Sequence, residues 1–77
     1  MSTVGHYIRM ASEQLQRKLK LEKETAFVEA NLLLQDVFNA NRAWLITHEN
    51  DELSSNQQAQ INALLNRRLK GEPIAYI

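Results

Sequence analysis

Apolar residues recur along this chain with the spacing of α-helices, in three long segments and one short one. In the first segment, from about Thr3 to Leu19, they are three or four positions apart and share one helical face: Val4, Ile8, Ala11, Leu15 and Leu19. Glu13 and Arg17 are four positions apart on the other face, in the orientation that favours an ion pair. This pattern predicts an amphipathic helix followed by a connector at residues 20–23.

The second segment, from Ala26 to Phe38, is apolar around most of a helical circumference. Its apolar positions are Ala26, Phe27, Val28, Ala30, Leu32, Leu33, Leu34, Val37 and Phe38. A helix of this kind is typical of the middle of a bundle, so we expect a central helix here. Thr25 can cap its start, or Glu24 can lie in its first turn; the sequence leaves both open.

The remaining elements are short and have recognisable ends. Residues 39–41, Asn-Ala-Asn, predict a turn, and residues 42–47 predict a short helix that carries Trp44. A polar loop at residues 48–52 precedes Ser54 and Gln57, which have the spacing of a capping box. The last helix is expected from about Ser55 to Lys70, with Gly71 as its end.

Composition narrows the functional classes. Seventy-seven residues form one domain, and the absence of cysteine excludes a disulfide framework and a thiolate zinc site. Nine basic and nine acidic side chains balance, which argues against an electrostatic nucleic-acid binder. No apolar run reaches the roughly 20 residues that span a bilayer, and no signal peptide is recognisable, so we expect a cytoplasmic protein.

Charge is distributed unevenly along the chain. Residues 1–20 carry four cations and one anion, residues 21–55 two cations and seven anions, and residues 56–77 three cations and one anion. Oppositely charged helices that pack side by side explain this distribution without a dedicated binding patch.

Few residues are candidates for chemistry. His6 and His48 lie in separate elements without metal-ligand spacing, and no nucleophile has a base and an acid placed to activate it. Trp44 is either half-buried at a helix junction or an anchor for a partner or second domain. Arg67 and Arg68 either complement the helix dipole or bind a carboxylate across a domain interface. We therefore expect no catalytic, cofactor-binding or metal-binding residue in this chain.

The C-terminal residues 63–77, ALLNRRLKGEPIAYI, resemble the end of the N-terminal domain of release-factor glutamine methyltransferases, the HemK/PrmC family. Residues 30–34, 41–45 and 53–57, together with His48, are similar to further segments of that domain, in the same order. Where relatives often have Asp-Ala-Glu, this chain has residues 29–31 as Glu-Ala-Asn. The likeness covers residues 26–77 well and residues 1–25 only as a helix.

The resemblance implies an all-α bundle of four or five helices at residues 1–72, and a linker at residues 73–77 extended toward a catalytic domain that the chain lacks. The whole protein would use S-adenosylmethionine to methylate the glutamine of the Gly-Gly-Gln motif in peptide chain release factors. This domain would position the release factor, with no nucleic acid or membrane as partner. Candidate contacts to the release factor or the catalytic domain are Trp44, Arg67, Arg68, Glu72 and Tyr76.

Three alternatives remain open from the sequence. The chain can be a stand-alone helical protein–protein interaction module, which a stop codon directly after Ile77 would favour; the apolar end at Ile77 instead indicates a domain cut from a longer protein. A helical DNA-binding domain would show salt-dependent DNA retention. A folding or solubility aid would affect yield but not specific activity.

Overall fold

The structure is a computed structural model that describes residues 2–71, and it contains four α-helices there. Helix α1 spans Val4–Leu19, α2 Lys23–Phe38, α3 Arg42–Thr47 and α4 Ser55–Leu69. The predicted all-α bundle is confirmed, since the described residues pair as strands only in one isolated bridge, between Thr3 and Glu52. The expected extended tail and the boundary between residues 72 and 73 lie outside the described residues.

Helix α1 begins within one residue of the start that its sequence predicts. The Thr3 hydroxyl accepts a hydrogen bond from the His6 backbone N–H at 3.1 Å, and the helix ends at Lys20, whose φ is 55°. The first four members of the predicted stripe are buried: Val4, Ile8, Ala11 and Leu15. The exposed pair of Glu13 and Arg17 is also present, at 3.8 Å.

Helix α2 begins earlier than expected, after a connector of three residues. Its N-cap is Glu22, whose side chain makes no capping hydrogen bond, and Glu24 lies in the first turn as one alternative proposed. The other alternative, a cap at Thr25, is wrong. Ala26 already donates its backbone N–H to the Glu22 carbonyl at 2.9 Å and is fully buried, so the chain is helical before Thr25.

The expectation of a central helix is only partly right for α2. This helix contacts each of the other three, but so does α1. Its inner side supplies Ala26, Ala30, Leu33 and Leu34 to the core. Val37 and Phe38 pack against the core from its C-terminal end, but Phe27, Val28 and Leu32 are 40%, 48% and 42% exposed in residues 2–71.

Backbone hydrogen bonds tie the loop before α4 to the start of α1. Val4 and Gly5 donate their N–H groups to the carbonyls of Asp51 and Glu49, at 3.0 and 2.8 Å, and Leu53 donates to Ser2 at 2.8 Å. The loop thereby accepts N–H groups that the first turn of a helix otherwise leaves without partners. Because α3 leads directly into this loop, the contact also holds the end of α3 near α1.

The caps of α3 and α4 follow the prediction. Asn39 adopts a left-handed conformation with φ 52°, and the Asn41 side chain accepts the Trp44 N–H at 2.9 Å. At α4, Ser54 and Gln57 form a complete capping box, with bonds of 2.9 and 3.1 Å. No helix in the described part of the chain is both long and apolar enough to cross a membrane.

Candidate binding surface

Helices α2 and α3 expose four large apolar side chains. Phe27, Val28 and Leu32 belong to α2, and Ile46 of α3 is 61% exposed. We call these four residues the exposed apolar set. Exposed apolar residues on neighbouring elements are typical of contact surfaces, because water solvates them poorly.

A groove runs between the C-terminal half of α2 and one side of α3. It has a volume of about 1080 Å³, and its lining consists of Leu32, Leu33, Gln35, Asp36, Phe38, Asn39, Ala40, Asn41, Ala43, Trp44 and Thr47. The groove is open to solvent, and its lining combines apolar side chains with amides, a hydroxyl and a carboxylate. A surface of this shape suits a polypeptide segment better than an enclosed small molecule.

Trp44 is half-buried in this groove and held on two sides. Its ring stacks on His48 with the centroids 4.0 Å apart and the planes 12° from parallel, and Phe38 lies 5.2 Å away. The His48 Nδ1 lies 2.8 Å from the Trp44 carbonyl oxygen, which ties the imidazole to the same turn. The indole is therefore positioned before any partner arrives, and binding against it costs little side-chain entropy.

The groove carries one negative charge. Asp36 is its only ionisable lining residue among residues 2–71, and no cation of that range lies within ion-pair distance of the Asp36 carboxylate. The other polar groups are neutral: Gln35, Asn39, Asn41 and Thr47. The groove therefore favours an apolar or basic ligand and disfavours phosphates.

A smaller hollow of about 130 Å³ lies on the opposite side of α3. The Arg42 guanidinium lies over the Phe27 ring, 5.7 Å from its centroid, and Ile46 completes the rim. Asn31 lines the hollow but is only 4% exposed, and its amide donates to the Phe27 carbonyl at 2.8 Å. Helix α3 thus separates a groove that holds one anionic side chain from a hollow lined by two arginines and one glutamate, Arg9, Arg42 and Glu49.

Arg68 forms the strongest polar contact between two helices of the described chain. Its Nε donates to Glu29 Oε1 at 2.8 Å and its Nη2 to Glu29 Oε2 at 3.2 Å. Both side chains are 17% exposed, so solvent screens the pair only weakly. The pair joins two segments of the sequence on which the family resemblance rests, and it fixes the last turn of α4 against α2.

The structure places the remaining sequence-predicted residues as follows. Arg67 is exposed in the last turn of α4, next to Arg68. Trp44 lies near the other end of α2, so the structure does not bring it together with the two arginines. Glu72 and Tyr76 lie outside the described residues. A contact role for any of these five residues stays a prediction.

The two histidines do not belong to a metal-binding cluster within residues 2–71. His6 is exposed on α1, whereas His48 stacks on Trp44. Residues 2–71 contain no group of three or more histidine, cysteine, aspartate or glutamate side chains that could hold a metal ion.

The sequence reasoning missed the exposed apolar set and Asp36. The sequence does contain evidence for the exposed apolar set, because the apolar face of α2 is wider than its neighbouring helices cover. Asp36 had no such signal, since an acidic residue at a helix surface is common in any soluble domain.

Comparison with known proteins supplies the family. The model of a family described as the PrmC N-terminal domain matches residues 6–77. The chain is 40% identical over 70 residues to a release factor glutamine methyltransferase of Coxiella burnetii, covering 91% of the chain and 25% of that relative. It is 35% identical over 72 residues to the protein of the same name from Escherichia coli, covering 94% of the chain and 24% of the relative.

A third relative of that name, from Aliivibrio fischeri, is 46% identical over 50 residues, which is 65% of the chain and 18% of the relative. The chain therefore spans a quarter or less of the length of these curated relatives. A search of the solved structures finds no significant match.

Proposed function

The chain belongs to the PrmC N-terminal domain family, and from this we propose that it is the helical domain of a protein-glutamine methyltransferase. The whole protein would transfer a methyl group from S-adenosylmethionine to the side-chain amide nitrogen of the glutamine in the Gly-Gly-Gln motif of peptide chain release factors. The proposal is supported by the names of its relatives, which are release factor glutamine methyltransferases. Peptide chain release takes place in the cytoplasm, so we assign the activity there.

The role we propose for this domain is to bind the release factor and hold it over the catalytic domain. The observation that carries this role is the groove at Trp44, which the exposed Leu32 also lines, on a domain whose relatives are named for a protein substrate. Its partners would be the release factor and its own catalytic domain. The described residues offer contact area and one carboxylate in the groove, and we assign them no part in bond making.

The reaction explains why a recognition domain is useful. An amide nitrogen is a poor nucleophile, so the rate depends on how well it is aligned with the methyl group that it attacks. Binding energy from a surface remote from the reacting atoms can be used for that alignment. A release factor is large enough to reach such a surface, whereas a short peptide around its glutamine is not.

The described residues do not fit the methyl donor. A nucleoside-containing cofactor is commonly bound where a glycine-rich turn joins a strand to a helix. Residues 2–71 contain two glycines, Gly5 inside α1 and Gly71 after α4, and no strand precedes either of them. We therefore assign the donor to the part of the protein that follows this domain.

The test compares two substrates and two forms of the methyltransferase. The intact protein and a form without residues 1–70 are assayed for glutamine methylation on a release factor and on a short peptide with the Gly-Gly-Gln motif. We expect deletion to lower kcat/KM about 10-fold or more on the release factor and to leave the peptide rate nearly unchanged. Equal losses on both substrates would indicate a folding aid. Unchanged rates on both would refute the recognition role.

A further inference from the structure

The groove at Trp44 differs from the rest of the bundle surface in three ways that bear on its ligand. It is the larger of the two concavities described, its Trp44 ring is positioned in advance, and its one charged side chain is a carboxylate without an ion-pair partner among residues 2–71. Aromatic residues in a pre-organised pocket are the usual anchors of protein interfaces.

The end of α4 lies apart from this groove. The Glu29–Arg68 pair holds the end of α4 beside the first half of α2, and the described chain ends three residues later at Gly71. Asp36 lies seven residues beyond Glu29 on α2, which is about 10 Å along the helix axis. The end of α4 therefore lies beside Glu29 and contributes no residue to the lining of the groove.

The charge of the groove indicates what kind of polypeptide segment can bind there. A partner that buries the Asp36 carboxylate must supply a cation, because an unpaired buried charge is costly. Leu32 and Trp44 on the two walls offer apolar contact to the side chain next to that cation. A polypeptide segment with a lysine or arginine beside an apolar residue matches both requirements.

We infer that the release factor docks in the groove between α2 and α3, through an apolar side chain packed on Trp44 and a neighbouring lysine or arginine paired with Asp36. This inference rests on the proposed function and specifies the site of recognition. The second apolar region, at Phe27 and Ile46, lies across α3 and is not part of this contact.

The experiment measures release-factor binding by the intact methyltransferase with two variants in the groove and two matched controls. Leu32→Ala and Val28→Ala remove exposed apolar side chains one turn apart on α2, but only Leu32 lines the groove. Asp36→Lys and Glu24→Lys reverse exposed charges on the same helix, but only Asp36 lies in the groove. All four sites are exposed, and thermal melts confirm that each variant is folded.

We expect Asp36→Lys to weaken binding about 10-fold or more and Leu32→Ala about 5-fold, with both controls within about 2-fold of the parent protein. The loss from Asp36→Lys should be larger at low salt, because screening reduces a charge contact. Trp44→Ala should weaken binding most, and Trp44→Phe should restore part of the affinity.

Each other outcome overturns the inference. If removal of residues 1–70 weakens binding but the groove variants do not, the domain recruits the release factor through another face and the proposed function still holds. If removal of the domain leaves binding unchanged, the proposed function fails and the docking site with it. If sedimentation shows that the protein self-associates and that Leu32→Ala or Asp36→Lys abolishes this, the groove binds a second copy instead.

Discussion

The Glu29–Arg68 pair allows a sharp test of what holds α4 against α2. Arg68→Ala removes a guanidinium that contacts both carboxylate oxygens, at 2.8 and 3.2 Å, and leaves Glu29 largely buried without its cation. The energetic consequence depends on that burial, since both side chains are 17% exposed. The carboxylate can recover only part of its hydration when the arginine is absent.

Two reference energies bracket the loss of stability expected for Arg68→Ala. Hydrogen bonds to charged groups contribute about 1.5–3 kcal/mol, and breaking a fully buried ion pair costs about 3–5 kcal/mol. Because the pair keeps some contact with solvent, we expect Arg68→Ala to lower the free energy of unfolding by about 2 kcal/mol. A domain of this size has a total stability of about 4–12 kcal/mol, so the variant stays folded but its Tm falls by roughly 8–16 °C.

Urea unfolding of the 77-residue chain measures this effect. A double-mutant cycle with Glu29→Ala should give a coupling energy of about 1–2 kcal/mol, and Arg68→Lys should lie between the parent and Arg68→Ala, because lysine cannot bind both oxygens. Arg17→Ala is the matched control: its pair with Glu13 is 3.8 Å long and the side chains are 77% and 67% exposed, so we expect little change. A loss for Arg68→Ala as small as the control's would refute the reasoning.

Three further changes test local features by urea unfolding of the same chain. Ser54→Ala should cost about 1 kcal/mol because it removes half of the capping box, whereas Ser55→Ala next to it should be nearly neutral; equal effects would contradict the capping role. Asn39 has a φ of 52°, which alanine adopts only with strain and glycine adopts freely. Asn39→Ala should therefore lower the free energy of unfolding by about 1 kcal/mol, and Asn39→Gly should not. An alanine without this loss would contradict the strain. Leu34→Ala, at a fully buried site, should cost about 2–5 kcal/mol, and Ile46→Ala, at an exposed one, less than about 1 kcal/mol; similar losses would show that the burial pattern is wrong.

The features that local chemistry decides were the most accurately predicted. The turn from Asn39 to Asn41 and the capping box at Ser54 depend on side chains and backbone groups within three residues of each other. The start of α2 shows the limit of such reasoning. Thr25 is a good capping residue, but Ala26 is buried in the core, and this burial extends the helix past the local signal.

The contact made at Gly5 is visible only in the folded chain. Gly5 lies inside α1, where glycine lowers helix stability, and the sequence offers no reason for it. In the structure a Cβ built there would lie 3.2 Å from the Glu49 carbonyl oxygen, which accepts the Gly5 N–H. A side chain at residue 5 would require the loop to move away from α1 by about a few tenths of an ångström.

The sequence by itself determined the four helices, the caps of α3 and α4 and the family, because these depend on residues that are neighbours along the chain or on motifs in a fixed order. Only the tertiary structure decided which side of α2 is buried, that Arg68 binds Glu29 across 39 positions, and that Leu32, Asp36 and Trp44 line one groove. Hydrophobic periodicity indicates how wide an apolar face is but not how much of it neighbouring helices cover. That depends on how helices pack, and the uncovered part includes Leu32, in the groove through which we propose this domain acts.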